Sequence, residues 1–206
     1  MKIRIGYGWD SHAFKPGVPL KIGGMSFDHP EGLAGHSDGD VLLHAITDAL
    51  LGAVSAGDIG SFFPPSDPRW KGADSVIFLN LALEEIANAG YKIANVDSSL
   101  VLAAPRISPI AGEMRAHVAS LLKIPEGDVS VKAKTPEGLG LDHVAQAHAI
   151  VLLEKIEASS GPSRLVAELD EAVPVSAAEL DELLGSYQDK HSAAPTKPVF
   201  DAKEFT

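Results

Sequence analysis

The sequence has no cysteine, no long hydrophobic run and few basic residues, and each of these absences excludes a class of function. Without cysteine the chain has no disulfide bond, no thiolate nucleophile and no sulfur-bound zinc, so a metal would have to bind through nitrogen and oxygen. No apolar run reaches the roughly 20 residues that a membrane-spanning helix needs. With 17 Lys and Arg against 28 Asp and Glu, the formal net charge is −11. Because nucleic-acid binding depends on basic side chains that neutralise phosphates, we expect neither nucleic acid nor a membrane as a partner.

The length and the composition predict one folded domain followed by a tail. A chain of 206 residues is long enough for one domain with a full core and some excess. From Ser159 the composition changes, and 161–206 hold nine acidic and four basic residues with few large apolar ones. We therefore predict a domain over 1–157 and an acidic, largely disordered tail over 158–206, with a partner-binding or subunit-strapping segment as the alternative.

The N-terminal sequence gives an expectation for the cellular compartment of the protein. The start, MKIRIGYGWD, turns polar too soon for a secretory signal peptide. We therefore expect a cytoplasmic protein, or one of the plastid stroma if a transit peptide has been removed.

The most informative stretch, 34–60, reads AGHSDGDVLLHAITDALLGAVSAGDIG and predicts a polar turn followed by a helix. Apolar residues recur there at helical spacing, so the helix should begin near Asp40. Ser37 or Asp38 can cap its first amides, and Gly57 suits its end.

This predicted helix carries one histidine between two acids. Asp40, His44 and Asp48 are four residues apart, so they share one edge of the helix, beside a loop that carries His36. Taken alone, His44 fits a structural role as well as it fits a ligand role. Asp40 or Asp48 could orient the imidazole if it binds a metal.

The remaining elements predict an α/β fold of the α+β sandwich kind, with a mixed β-sheet and helices packed on one face. We predict strands over 2–9, 91–103, 128–134 and 145–156, a hairpin over 20–28 that turns at Gly23-Gly24, and helices over 75–89 and 108–122. The strand near 98–103 is apolar on both sides, so the second sheet face also needs cover, which predicts an oligomer.

Three side chains form a candidate metal site. Asp10 and His12 follow the first strand two residues apart, so they aim at one point, although this tripeptide alone also fits a chance pairing. With His44 they make a nitrogen and oxygen set with an open fourth position, which is typical of catalytic zinc. Glu137, in a glycine-bearing loop, suits magnesium shared with phosphates. With no evident protein nucleophile, we expect the substrate to supply its own.

The segment 58–75, DIGSFFPPSDPRWKGADS, predicts a loop without a long helix or strand. Three prolines and two glycines interrupt it, and aromatic residues lie beside the polar site. It is a candidate lid, and an ordinary connector is the alternative.

Five motifs together resemble one known family over about 2–156. GYGWDSHAF, AGHSDGDVLLHAITDALLGA, GDIGSFFP, KGADS and VKAKTPEGLG occur in the order and spacing of the 2-C-methyl-D-erythritol 2,4-cyclodiphosphate synthases. The resemblance implies a homotrimer with active sites between subunits. It also implies conversion of 4-diphosphocytidyl-2-C-methyl-D-erythritol 2-phosphate to the cyclic diphosphate with release of CMP, a step of non-mevalonate isoprenoid biosynthesis.

The resemblance also implies roles for individual residues. Zinc would bind Asp10, His12 and His44, and magnesium or manganese would bind Glu137. The candidate catalytic residues are His36, Asp58 and Thr135. The implied substrate contacts are His36, Ser37, Asp58, Gly60, Asp67, Ala103, Pro105, Arg106, Ile107, Ala133, Lys134 and Thr135. Of these, 103–107 and 133–135 would form the cytidine and phosphate pocket of the neighbouring subunit.

The sequence departs from the family pattern at three main positions. Pro65 replaces an acid in the lid, Leu141 replaces a phenylalanine, and Val144 replaces an arginine, while Arg106 keeps the charge of a common lysine. The positions of Leu141 and Val144 line the central cavity of the trimer in the family, and they leave the metal set intact. Two other functions stay open: a zinc hydrolase that activates water, and a non-catalytic trimeric protein that binds phosphate ligands.

Overall fold

The structure, a computed structural model, describes residues 2–156, and the predictions for 158–206 lie outside the described residues. Its strands are β1 (Ile3–Pro16), β2 (Leu20–Ile22), β3 (Met25–Phe27), β4 (Glu31–Leu33), β5 (Tyr91–Val101), β6 (Val129–Lys134) and β7 (Val144–Lys155). Its α-helices are α1 (Val41–Ala53), α2 (Ile59–Phe62), α3 (Ser75–Asn88) and α4 (Ala111–Leu122).

Five strands form one mixed sheet in the order β4-β1-β7-β5-β6, and β2 and β3 form a separate hairpin. β5 and β6 are parallel, whereas β7 is antiparallel to both β1 and β5. α1 packs on β1 and β7, α4 on β6, and α3 on α1 and β5. The predicted mixed sheet and the hairpin turn at Gly23-Gly24 are confirmed.

The first strand is longer than the sequence predicts. β1 continues to Pro16 because it pairs with β7 as far as Ala13 and with β4 from Phe14 onward. Asp10 and His12 therefore lie within a strand and not just beyond its end. β4 has only three residues, too few for a recognisable alternation, and the sequence did not predict it.

Two glycines let α1 lie directly on β1. A Cβ atom at Gly6 would be 1.8 Å from the carbonyl oxygen of Ala49, and one at Gly8 would be 2.0 Å from that of Ala45. Only glycine permits so close an approach of two backbones. Residues at even positions of β1 share this face, so Asp10 and His12 continue it alongside the first turns of α1.

α1 is buried on nearly every side. Its whole apolar set is below 5% exposed, since α3 covers the side that the sheet does not. The cap is neither Ser37 nor Asp38: the carboxylate of Asp40 accepts hydrogen bonds from the backbone N–H groups of Leu42 and Leu43. The helix also ends at Ala53, before Gly57.

The sheet face opposite the helices is apolar and exposed in the single chain. Ile5, Tyr7 and Trp9 are 66%, 60% and 48% exposed, and Ile150 of β7 is 50% exposed. The sequence located this uncovered face near 98–103, whereas the exposed apolar side chains belong to β1 and β7. No helix within residues 2–156 is long and apolar enough to cross a membrane.

Candidate metal centre

Three side chains from β1 and α1 converge on one point. The Oδ2 atom of Asp10 lies 2.8 Å from Nε2 of His12 and 2.9 Å from Nδ1 of His44, and the two nitrogens are 3.1 Å apart. Among residues 2–156, this is the one group of three or more such ligands found together. The structure thus brings together all three residues that the sequence singled out.

The donor set suits a tetrahedral divalent metal. Two imidazole nitrogens and one carboxylate oxygen are the ligands of many catalytic zinc sites. Bonds of 2.0–2.1 Å put tetrahedral ligand atoms about 3.3 Å apart, so these three would separate by only a few tenths of an ångström. The side chains of Asp10, His12 and His44 are 24%, 16% and 11% exposed, so the group is reachable from solvent.

The electrostatics of the three side chains favour an ionised carboxylate. Burial raises the pKa of Asp10, but hydrogen bonds and charge interactions with His12 and His44 outweigh it and hold that pKa well below its usual range. Burial lowers the pKa of His44, but the hydrogen bond to Asp10 outweighs this effect and raises it. A divalent cation bound here would compete with protons for that imidazole, since a metal-bound histidine is neutral.

The groups that contact the outer nitrogen of His44 differ from those the sequence suggested. Its Nε2 atom lies 3.0 Å from Oγ of Ser37 and 2.9 Å from Oγ of Ser75. Asp40 does not orient the imidazole, because its carboxylate accepts backbone N–H groups from α1 and from the Gly23-Gly24 turn. Asp48 likewise accepts the N–H of Ile59 at 2.9 Å.

The candidate lid is held over this site by aromatic packing. The ring centroid of Phe63 lies 4.7 Å from that of Trp70 and 4.4 Å from that of Phe78, whose ring lies 6.0 Å from that of His44. The Nε2 atom of His36 donates a hydrogen bond of 2.8 Å to the carbonyl oxygen of Pro65. The segment has no long helix or strand, as the sequence predicts, but it includes the short helix α2 and a 3-10 turn over Pro68–Trp70.

Two acids of this segment cap its short helices. Asp58 is the cap of α2, which contains Gly60, and hydrogen bonds from the side chain and backbone of Ser61 lower the pKa of Asp58. Asp67 caps the 3-10 turn and pairs with Arg69 at 2.6 Å. Because Asp48 of α1 binds the N–H of Ile59, the start of α2 is tied to the helix that carries His44.

The residues predicted to bind the cytidine nucleotide form a second group at the far side of the sheet. β5 and β6 end side by side, and Leu102 N–H donates to the Lys134 carbonyl at 3.1 Å, so the segment 103–107 begins beside the end of β6. β7 and β5 separate β1 from β6, a distance of roughly 14 Å for three strand spacings. Within one chain the structure does not bring this group to the metal centre.

Glu137 lies beyond the end of β6, near Thr135. The hydroxyl of Thr135 donates to the carboxylate of Glu137, whose backbone has a φ of 50°. This hydrogen bond holds the loop together at the point where the sequence places a magnesium ligand.

Sequence reasoning missed three contributors to the site. Gly8 seats α1, Phe78 backs the imidazole of His44, and Ser75 contacts its outer nitrogen. Alternating glycines inside the first strand were a signal for close backbone approach. Ser75 is the first residue of α3, whose cap is Asp74, and nothing local in the sequence points to its contact with His44.

Comparison with known proteins gives consistent matches over the described domain. A model of the YgbB family matches residues 3–154. The 2-C-methyl-D-erythritol 2,4-cyclodiphosphate synthase of Koribacter versatilis (strain Ellin345) is 64% identical over 153 residues, which cover 74% of this chain and 99% of that protein. A solved structure of 2C-methyl-D-erythritol-2,4-cyclodiphosphate synthase matches with a TM-score of 0.70 and 42% identity, and one of its CDP-bound form with 0.70 and 40%. Each covers 73% of this chain and 100% of the other.

Proposed function

The chain belongs to the YgbB family, the family of the 2-C-methyl-D-erythritol 2,4-cyclodiphosphate synthases, and from this premise we propose how its site works. The enzyme is a lyase that converts 4-diphosphocytidyl-2-C-methyl-D-erythritol 2-phosphate to the 2,4-cyclodiphosphate and CMP, for isoprenoid biosynthesis. The observation that carries this function at the site is the convergence of Asp10, His12 and His44 within 3.1 Å of one another. The relatives favour neither the hydrolase nor the binding protein.

The reaction is an exchange of phosphorus–oxygen bonds within one substrate. An oxygen of the 2-phosphate forms a bond to the β-phosphorus, and the bond from that phosphorus to the bridging oxygen breaks, so CMP leaves with that oxygen. The protein then has to bring two anionic phosphates together and to exclude water. A chain of net charge −11 needs cations for this purpose.

We propose zinc at Asp10, His12 and His44, and magnesium or manganese at Glu137. Bound there, the two cations would neutralise phosphate charge, and zinc would polarise the phosphoryl group under attack. Asp10, whose pKa the two neighbouring imidazoles hold low, supplies the ionised carboxylate that a cation would bind. The hydroxyl of Thr135, which donates to Glu137, is placed to position a phosphate at the magnesium end.

The residues predicted to contact the substrate divide between its two ends. His36 and Ser37 contact the methylerythritol phosphate, Asp58 and Gly60 hold its hydroxyl groups, and Asp67 belongs to the lid that excludes water. Residues 103–107 and 133–135 of the neighbouring subunit hold the cytidine and its phosphates. One of the solved relatives was determined in its CDP-bound form, which agrees with a cytidine diphosphate substrate.

We propose that the active protein is a homotrimer with active sites between subunits. Two observations support a shared site: the roughly 14 Å between the metal strand and the nucleotide strand of one chain, and the exposed apolar face of β1 and β7. Burial of that face would stabilise an assembly by removing large apolar side chains from water. Analytical ultracentrifugation checks this, and a monomer at micromolar concentration would contradict it.

Phosphorus NMR tests the proposed reaction. The purified full chain is incubated with the diphosphocytidyl substrate, zinc and magnesium. His117→Ala serves as the control for substitutions of the metal-centre histidines, because it removes a histidine of α4 that lies outside that centre. Formation of CMP and a cyclic diphosphate by both proteins supports the synthase. A linear phosphate product would favour the hydrolase, and zinc binding without turnover would favour the binding protein.

A further inference from the structure

Two serine hydroxyl groups lie next to the imidazole nitrogen of His44 that faces away from the metal centre. Its Nδ1 atom faces Asp10 and His12, and its Nε2 atom lies 2.9 Å from Oγ of Ser75 and 3.0 Å from Oγ of Ser37. A histidine that binds a metal through one nitrogen donates the proton of the other to a partner, which fixes its tautomer and orientation. Here two hydroxyls are within reach of a single proton.

Ser75 is the better acceptor because its own proton is already committed. It is the fully buried first residue of α3, and the carboxylate of Asp38 accepts both its backbone N–H, at 3.2 Å, and its hydroxyl. Since a carboxylate only accepts, the Ser75 hydroxyl donates to Asp38 and turns a lone pair to Nε2 of His44. Ser37 is partly exposed, and its hydroxyl is also approached by the Gly39 N–H at 3.5 Å.

Asp38 is itself held from two further directions. Its backbone N–H donates to the carbonyl oxygen of Ala73 at 3.0 Å, and the Nζ atom of Lys21 lies 3.4 Å from its carboxylate. The same Nζ atom lies 2.8 Å from Asp74, which caps α3. The chain of contacts from Lys21 through Asp38 and Ser75 to His44 therefore ties β2, the turn before α1 and the start of α3 together.

We propose that Ser75, held by Asp38, is a positioning residue that keeps the proton of His44 on Nε2 and so directs the Nδ1 lone pair to the metal. This inference rests on the proposed metal site. Without the Ser75 hydroxyl the imidazole loses its buried acceptor, and its orientation then depends on the partly exposed Ser37. Loss of a group that orients a metal ligand typically weakens metal binding by about 10–100-fold.

Cobalt binding to the full chain tests this proposal without reference to turnover. The Co²⁺ dissociation constants of the wild-type protein, Ser75→Ala and Ser37→Ala are measured by competition with a chromophoric chelator. We expect Ser75→Ala to bind cobalt about 10–100-fold more weakly and with altered visible absorption bands. Ser37→Ala, which removes the other hydroxyl, should change the cobalt affinity and the absorption bands much less. Equal losses in the two variants would overturn the special role of Ser75.

A second readout follows the proton itself. In zinc-loaded protein with ¹⁵N-labelled histidine, the Nε2–H of His44 should give a slowly exchanging NMR signal. Ser75→Ala should lose this signal, and Ser37→Ala should keep it. Asp38→Asn, which leaves one oxygen to accept the Ser75 hydroxyl but removes the charge, should show intermediate exchange and intermediate cobalt affinity.

The outcomes separate this inference from the proposed function. Failure of the wild-type protein to bind cobalt would overturn the metal site and with it both proposals. Tight binding by the wild type and equally tight binding by Ser75→Ala, with the Nε2–H signal retained, would overturn only the role of Ser75. If Ser75→Ala does not fold, Asp38→Asn decides, and wild-type affinity with unchanged exchange in that variant would overturn the proposal.

Discussion

Gly8→Ala is expected to separate β1 from α1 and to damage the metal centre. The new Cβ atom would lie 2.0 Å from the carbonyl oxygen of Ala45 and 2.7 Å from the backbone nitrogen of Ala49. Carbon and oxygen atoms in close contact are about 3.3–3.6 Å apart, so the strand and the helix must move apart by more than about 1 Å. Both obstructing atoms belong to the backbone of a buried helix, so no side chain can rotate out of the way.

The expected loss in the free energy of unfolding is large for the addition of one methyl group. Overpacking costs typically about 1–3 kcal/mol, and an obstruction made of backbone belongs at or above the upper end of that range. A loss of about 3 kcal/mol corresponds to a fall of roughly 6–12 °C in Tm for a protein of this size. Cobalt affinity should fall as well, because Asp10 follows Gly8 on the same face of β1 and His44 precedes Ala45.

Differential scanning calorimetry of metal-free protein, at one fixed protein concentration, measures the fall in Tm. Gly52→Ala is the matched control, since it adds the same methyl to α1 itself, where the nearest atom, the carbonyl oxygen of Tyr7, is 4.0 Å away. It should raise the stability by about 0.5–1 kcal/mol, because alanine is the better helix former. A Gly8→Ala protein with the Tm and the cobalt affinity of Gly52→Ala would refute the close-packing argument.

Three further predictions concern the site and its surroundings. His44→Ala should abolish zinc retention and CMP release while leaving the oligomer intact in ultracentrifugation; full CMP release by this variant would contradict the zinc assignment. Val144→Arg should change turnover by less than about tenfold, or 1.4 kcal/mol, because Val144 begins β7 beyond the metal ligands; a larger gain would show that the natural valine is costly. Burial, with the nearby charge of Asp58, raises the pKa of Asp48 above its value in the unfolded chain. The ionised carboxylate therefore destabilises the folded state at neutral pH, and this destabilisation disappears as the pH falls through the folded-state pKa. Asp48→Asn keeps an oxygen for the Ile59 N–H, so the metal-free variant should exceed the wild type in Tm at pH 7 and lose that advantage near pH 4; an advantage that grows on acidification would contradict the assignment.

Much of the fold could be predicted from local sequence because its elements carry clear periodicity. The apolar spacing predicted α1, and the structure places that helix at Val41–Ala53, within a residue of the expected start. α3 also begins as expected, whereas the predicted helix over 108–122 is divided into a 3-10 turn and α4. Element ends were less certain, because pairing with β4 and β7, rather than local preference, extends β1 to Pro16.

The amino-acid sequence by itself determined the chemistry of the candidate site: without cysteine any metal ligands had to be nitrogen and oxygen, and Asp10, His12 and His44 supply such a set. It could not show which groups orient them. Asp40 and Asp48 share a helix edge with His44, but backbone N–H groups in the fold bind both carboxylates, whereas Ser75, thirty-one residues away, contacts the imidazole. The physical reason is that a hydrogen-bond partner is set by distances between elements, and here the approach of α1 to β1 at Gly6 and Gly8 sets those distances.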